Sequence, residues 1–220
     1  MIEEAITELE DSIEGIKKKF YGVVTGRVIN PLDPFCLGRV QVQLPFIDDL
    51  DLSPWARVAT PMAGIATGIY FMPEVGDEVL VAFEHGDPNA PYVIGSLWSA
   101  FAPPPLPSPV PQMRIIRTLA GNQIMITDIP PSIIFSTLAG QIVALSPEAG
   151  VEIVSGASTV VLGPPEAPAI TIISGGNTVT LTPAGIELTT GGTISLTAGG
   201  AVTITAGGTC TITAPTVMIN

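Results

Sequence analysis

The feature that most constrains this chain is a repeat. From Gly176 to the end the sequence keeps a period of eight: Gly176, Gly192, Gly200 and Gly208 share one register, and Ala184 fills the remaining place. Pairs spaced by two follow at the same interval, Ile186/Leu188, Ile194/Leu196, Val202/Ile204 and Cys210/Ile212. Upstream, the step from Ile170/Ile172 to Val179/Leu181 is nine residues and the next is seven, a slip and its correction. Thr, Ser or Glu occupies the places between. Alternation puts both apolar side chains of an octad on one face of an extended segment, and the Gly pair makes a corner. Two buried aliphatic side chains do not offset the entropy of ordering eight residues, so the octads need a complete hydrogen-bond ladder and neighbouring strands. A lone ribbon leaves its edges open.

Two folds meet that demand: a single-chain solenoid, or identical chains wound together as a β-prism. The calcium-binding GGxGxD turn of many solenoids is absent, because the Gly pairs run on as GGTIS, GGAVT and GGTCT. The sequence therefore predicts an intertwined prism whose core positions are Ile186, Leu188, Ile194, Leu196, Val202, Ile204, Cys210 and Ile212. Cys210 stands where the other octads place Ile or Val, so it is read as a small core residue. The last charged side chain is Glu187, and the sequence closes on Thr216-Val217-Met218-Ile219-Asn220. The apolar trio there reads as a docking platform at which copies meet.

Three further segments precede the repeat. Over residues 1–20, Ile2, Ile6, Leu9, Ile13, Ile16 and Phe20 recur at alternating steps of four and three, the seam of an amphipathic helix. Acids gather in its first part and Lys17, Lys18 and Lys19 at its end, as a helix dipole prefers. Such a seam predicts self-association or docking on another protein. Residues 21–100 read as short strands punctuated by Gly, Pro and Asp: YGVVTGRVI, GRVQVQLPF, PWARVATPM, TGIYFMP, DEVLVAFEHGD and PYVIGSLW. Five or six of these suit a small closed barrel. Residues 101–112 are a proline-rich, extended linker, and residues 113–220 carry the repeat. The expected class is all-β with a short helix at the start.

Composition excludes several functions. Twenty acidic side chains against eight basic ones leave no stripe to neutralise phosphates, which argues against nucleic acid and anionic lipid. The acidic first residues lack the basic and apolar regions of a signal peptide, and no apolar run is long enough to span a membrane. The expectation is assembly in the cytoplasm. Two cysteines, Cys36 and Cys210, give neither a disulfide framework nor metal spacing. The single histidine, His85, lies in EHGDPNAP, whose Gly, Asp, Pro and Asn are turn residues. Asp48, Asp49 and Asp51 lack a calcium-loop pattern, and Glu74, Asp77 and Glu78 read as a turn leading into a strand. No nucleophile, phosphate-loop or metal motif occurs, so no catalytic residue, metal or cofactor is predicted.

The middle segment carries a resemblance. Gly38-Arg39-Val40, Trp55-Ala56-Arg57-Val58-Ala59, Pro73-Glu74-Val75-Gly76-Asp77-Glu78-Val79-Leu80-Val81 and Gly86-Asp87-Pro88 through Gly95 appear in the order found in VgrG-like and phage baseplate-V spike proteins of contractile injection systems. About 80 residues resemble their OB-fold domain, and the Thr/Gly octads resemble their trimeric β-helix. The resemblance implies a homotrimeric central spike at the tip of a sheath-driven tube that helps pierce a target envelope. It further implies a small PAAR-like tip protein on Thr216, Val217, Met218, Ile219 and Asn220. With only about twenty residues before the barrel, it implies a separate baseplate hub or tube-initiator protein on the N-terminal side. No histidine follows His85, so the histidine-ligated iron point of some phage spikes is not expected. Two rivals are a trimeric fibre or adhesin binding glycan through its OB-fold, and a wall-degrading enzyme. The first predicts exposed aromatics on the barrel loops, whereas Trp55 and Trp98 fall in strand patterns and are expected in the core.

Overall fold

The computed structural model describes residues 19–45, 53–106 and 112–218. The expected N-terminal helix with its seam Ile2, Ile6, Leu9, Ile13 and Ile16, the Asp48–Asp49–Asp51 cluster, part of the proline linker, and Ile219 and Asn220 lie outside these residues. The chain divides into two compact units, Met1–Pro107 and Ser108–Asn220.

The first unit contains β1 (Val24–Asn30), β2 (Arg39–Gln43), β3 (Ala56–Val58), β4 (Ala63–Gly64), β5 (Thr67–Gly68), β6 (Glu78–Phe83) and β7 (Pro91–Leu97). Five of them close a barrel in the order β1-β2-β3-β7-β6. Only the β3–β7 pair is parallel. Closure removes both edges. The alternation RVQVQ on β2 and EVLVAF on β6 puts Val40, Val42, Val79, Val81 and Phe83 inside. Val28, Leu44, Ala56 and Val93 complete that core. Gly26 is required by packing: a Cβ there would stand 3.1 Å from Leu44 Cδ2 and 3.4 Å from Val81 Cγ2. The buried Ser53 hydroxyl accepts from Val42 N–H and donates to the Pro54 carbonyl, both at 2.9 Å, so its burial leaves no polar atom unpaired.

One expected strand is absent from the barrel. TGIYFMP contributes only Thr67–Gly68, which pair with Ala63–Gly64 as a separate hairpin, and residues 69–74 run irregularly. Its apolar side chains lack the alternation that would bury one face: Tyr70 and Phe71 are both exposed.

The second unit is a nine-stranded antiparallel meander whose neighbours in the sheet are neighbours in sequence. Its strands are β8 (Met113–Arg117), β9 (Gln123–Asp128), β10 (Pro131–Ser136), β11 (Ile142–Ser146), β12 (Gly150–Ser155), β13 (Ser158–Leu162), β14 (Ile170–Ser174), β15 (Asn177–Thr182) and β16 (Gly185–Thr189). The Gly pair is the reversing element: Gly175-Gly176 is a two-residue turn between Ser174 and its partner Asn177. Six strand residues plus two turn residues make eight, so through Thr189 each octad supplies one strand and one turn, and successive octads pair as hairpins within one chain. Gly150 is fixed by geometry, with φ 79° and a would-be Cβ 1.9 Å from the Leu162 carbonyl oxygen. After β16 the pattern changes. Residues 193–218 repeat the same octads but form no strand, and all are exposed.

The barrel core makes a direct prediction. Leu44→Ala removes a side chain that is 1% exposed and opens a cavity. It should cost about 2–5 kcal/mol in the urea unfolding of the barrel, followed by tryptophan fluorescence, without altering the circular dichroism of the folded state.

Candidate assembly surface

The meander has two unlike faces. Register places Ile116, Ile124, Phe135, Val143, Ile153 and Val160 in one cross-strand column, which continues through Ile172, Val179 and Leu188. A second column on the same face runs Ile126, Ile133, Leu145, Val151, Leu162, Ile170, Leu181 and Ile186. On the opposite face the later strands carry Thr171, Thr178, Thr180, Glu187 and Thr189, with Ile173 as the one aliphatic from β14 on, so that face is mainly polar there. In the first strands both faces hold apolar residues, for instance Ile116 beside Ile115.

The two-column face lies open. Two shallow grooves follow it, each of about 520 Å³. One is lined by Ile124, Phe135, Val143 and Ile153, the other by Ile126, Ile133, Leu145 and Leu162. Exposure is nearly constant across the inner strands, 37% at Ile124 and 43% at Ile172, and is higher on the last strand, 59% at Leu188 and 71% at Ile186. The octads beyond continue the pattern, with Ile194, Leu196, Val202, Ile204 and Ile212 each more than half exposed and Cys210 exposed. At the far end of the described chain Thr216, Val217 and Met218 are exposed, Met218 at 89%. Monomeric soluble proteins rarely expose a continuous apolar surface of this length, which marks an interaction surface.

The sequence reading located the columns only from Ile170 onward. Upstream strands carry the same alternation in QIMIT and IIFS, but connections of two to seven residues break the period. The apolar residues on both faces of the first strands also conceal which face continues the columns.

The barrel surface holds one built polar cluster. Asp33 accepts both arms of the Arg39 guanidinium at 2.8 Å, and its two oxygens also accept Phe35 N–H and Leu37 N–H at 3.0 Å. The Arg39 guanidinium lies 5.7 Å from the ring centres of both Phe35 and Trp55. The Arg39 hydrogen bonds hold the Asp33 carboxyl well below the usual carboxylate range; partial desolvation opposes this and the two backbone donors add to it. The cluster pins the loop between β1 and β2. Nearby, the β4–β5 hairpin and residues 69–72 line an open groove of about 500 Å³ with Leu37 and Val58.

Trp98 departs from expectation. It follows the last strand of the barrel and is 68% exposed, and Phe35, Tyr70 and Phe71 are exposed as well. These aromatics meet the condition set for glycan binding, but the groove beside them lacks the remaining chemistry. Its lining has no carboxylate, amide or guanidinium, and the Thr60 hydroxyl already donates to the Ile69 carbonyl. His85 sits in a three-residue 3-10 turn, Glu84–Gly86, with φ 49°, and Asp77 Oδ2 accepts the Glu74 N–H at 2.8 Å in the next tight turn. Among the described residues no three His, Cys, Asp or Glu side chains gather as a metal site.

Comparison with known proteins agrees with this architecture. Residues 24–98 match the family described as the type VI secretion system/phage-baseplate injector OB domain. The type VI secretion system spike protein VgrG4b of Pseudomonas aeruginosa is 39% identical over 117 residues, which are 48% of this chain and 14% of that protein. The spike protein VgrG3 of Vibrio cholerae is 34% identical over 92 residues, 38% of this chain and 9% of its own length. The actin cross-linking toxin VgrG1 of the same species is 33% identical over 86 residues, 37% of this chain and 8% of its own. The chain thus spans 14% or less of these relatives.

The ion pair sets a pH dependence. Asp33 is more acidic folded than unfolded, so its contribution is complete at neutral pH and above the ordinary carboxylate value near 4. It is lost as pH falls below that value toward the folded one. Asp33→Asn should therefore melt at a lower temperature than the parent at pH 7, and the gap should narrow by pH 2.5, as read by thermal melts at both values.

Proposed function

We propose, from the premise that this is a VgrG-like chain built on an injector OB domain, that it is a structural spike component of a contractile injection machine and that three copies bury the two-column face as one common core. A single observation supports this reading. Through Thr189 each strand is hydrogen-bonded to its sequence neighbours within the chain while the apolar face is bare, so between its two edge strands the sheet needs cover rather than more hydrogen bonds. A threefold arrangement covers each face with two others. Beyond Thr190 both needs are unmet, and there the octads of separate copies pair edge to edge around the same axis, as the intertwined reading requires. Ile186, Leu188, Ile194, Leu196, Val202, Ile204, Cys210 and Ile212 face that axis.

The role is mechanical. A sheet stiffened by a full ladder and closed on itself by symmetry resists axial load, and no cleft gathers catalytic groups on the described surface. Thr216, Val217, Met218, Ile219 and Asn220 form the seat for a PAAR-like tip protein. The amphipathic segment 1–20 meets a hub or tube-initiator protein or joins the trimer, and the assembled particle acts on a target envelope.

Light scattering coupled to chromatography should give three times 22.7 kDa. A stable monomer overturns the shared core. Ile172→Asp sets three carboxylates against one axis, where repulsion and desolvation oppose each other's ionisation, and should abolish the trimer peak at neutral pH. Deleting residues 217–220 should leave the trimer intact and remove co-purification with a PAAR-like protein; unchanged binding removes the tip assignment.

A further inference from the structure

We propose that the ion pair between Arg114 and Asp128 is a register clamp that fixes how far one copy of this sheet can slide along another; this rests on the shared-core reading above. The apolar columns carry little information about sliding. From β10 to β16 they present Phe135 and otherwise only branched aliphatic side chains. Because successive strands run in opposite directions, a slip by two strands, roughly 10 Å at about 4.8 Å per strand, restores chain direction. It also brings aliphatic side chains back against aliphatic ones. Register is weakly specified wherever a surface repeats in this way.

Arg114 and Asp128 break the degeneracy. Arg114 pairs with Ile126 across β8 and β9, which puts Asp128 on the same face, one diagonal step away. Arg114 Nη1 donates to Asp128 Oδ2 at 2.6 Å. Among the described strands of this sheet, the other charged side chains (Arg117, Glu152 and Glu187) have the opposite parity and leave the apolar face. In one copy the Arg114 and Asp128 side chains are 61% and 52% exposed, and a surface ion pair adds little to the stability of a single sheet. Its position on the face destined for burial acquires a use only on assembly. In register, three such pairs lie at one level and cap each other's unused donors and acceptors. After a two-strand slip, Arg114 lies against the level of Ile133 and Asp128 against the level of β11, one step past Leu145, and both groups are desolvated without polar neighbours. One polar level in an apolar seam is how coiled coils fix register, and the physics here is the same.

The test uses the full chain with Cys36 and Cys210 replaced by serine. One population carries Ile172→Cys and a second carries Ile153→Cys, two strands apart in the same column. The two are co-assembled and oxidised. With Arg114 and Asp128 present, only 172–172 and 153–153 disulfides should form between copies. In R114L/D128L the trimer mass should persist while mixed 172–153 disulfides appear. R114L alone should lose trimer, and R114D/D128R should recover both trimer and same-level disulfides. Same-level disulfides alone in an R114L/D128L trimer would overturn the clamp and leave the shared core standing. Loss of trimer in R114L/D128L would also overturn it, because the pair would then hold the copies together rather than align them. A monomeric parent overturns the shared core, and the clamp with it.

Discussion

Every extended chain has two debts, a partner for each backbone N–H and C=O and cover for its apolar side chains, and this protein settles them differently along its length. In the barrel both are met inside one copy: β1, β2, β3, β7 and β6 close on themselves around Val28, Val42, Val79 and Val81. In the meander the first is met and the second is not. In the octads after Thr190 neither is met by the single chain. The need for other copies therefore grows from one end of the described chain to the other. From β14 onward it grows with little change in the side chains, which remain Ile, Val and Leu alternating mainly with Thr and Ser.

The turn explains the transition between the last two regimes. A Gly pair supports a tight reversal at Gly175-Gly176, and the same dipeptide at Gly191-Gly192, Gly199-Gly200 and Gly207-Gly208 is a bend with no paired strand after it. Glycine permits both outcomes because it does not restrict φ. What differs is the cover available. A strand with two apolar side chains is marginal alone, and it is held through Thr189 by the strands already stacked before it.

Much of this was legible in the sequence. The period of eight, the Gly punctuation and the absence of charge after Glu187 define an extended repeat with one apolar face, because side-chain alternation and turn chemistry are local properties. The barrel strands at GRVQVQ and DEVLVAF follow from the same rule. TGIYFMP did not, since it has strand-forming residues without alternation, and sequence propensity cannot say whether a neighbour exists to pair with it. Trp98 failed for a related reason: it continues an apolar run, but it lies one residue past the last pair of the barrel, where no opposing strand covers it. The upstream columns, Ile124 through Ile153, were hidden by unequal turns.

The sequence by itself determined that residues 170–214 repeat as extended octads, that their apolar side chains share a face, and that the middle of the chain is a small barrel of short strands. These are consequences of spacing, and spacing is visible in one dimension. Only the tertiary structure decided that the octads to Thr189 reverse into hairpins, that nine strands align their aliphatics into two bare columns, and that Arg114 reaches Asp128 across them. Those facts depend on which strand lies beside which. Cross-strand register is set by contacts between residues distant in the chain, which no local pattern encodes.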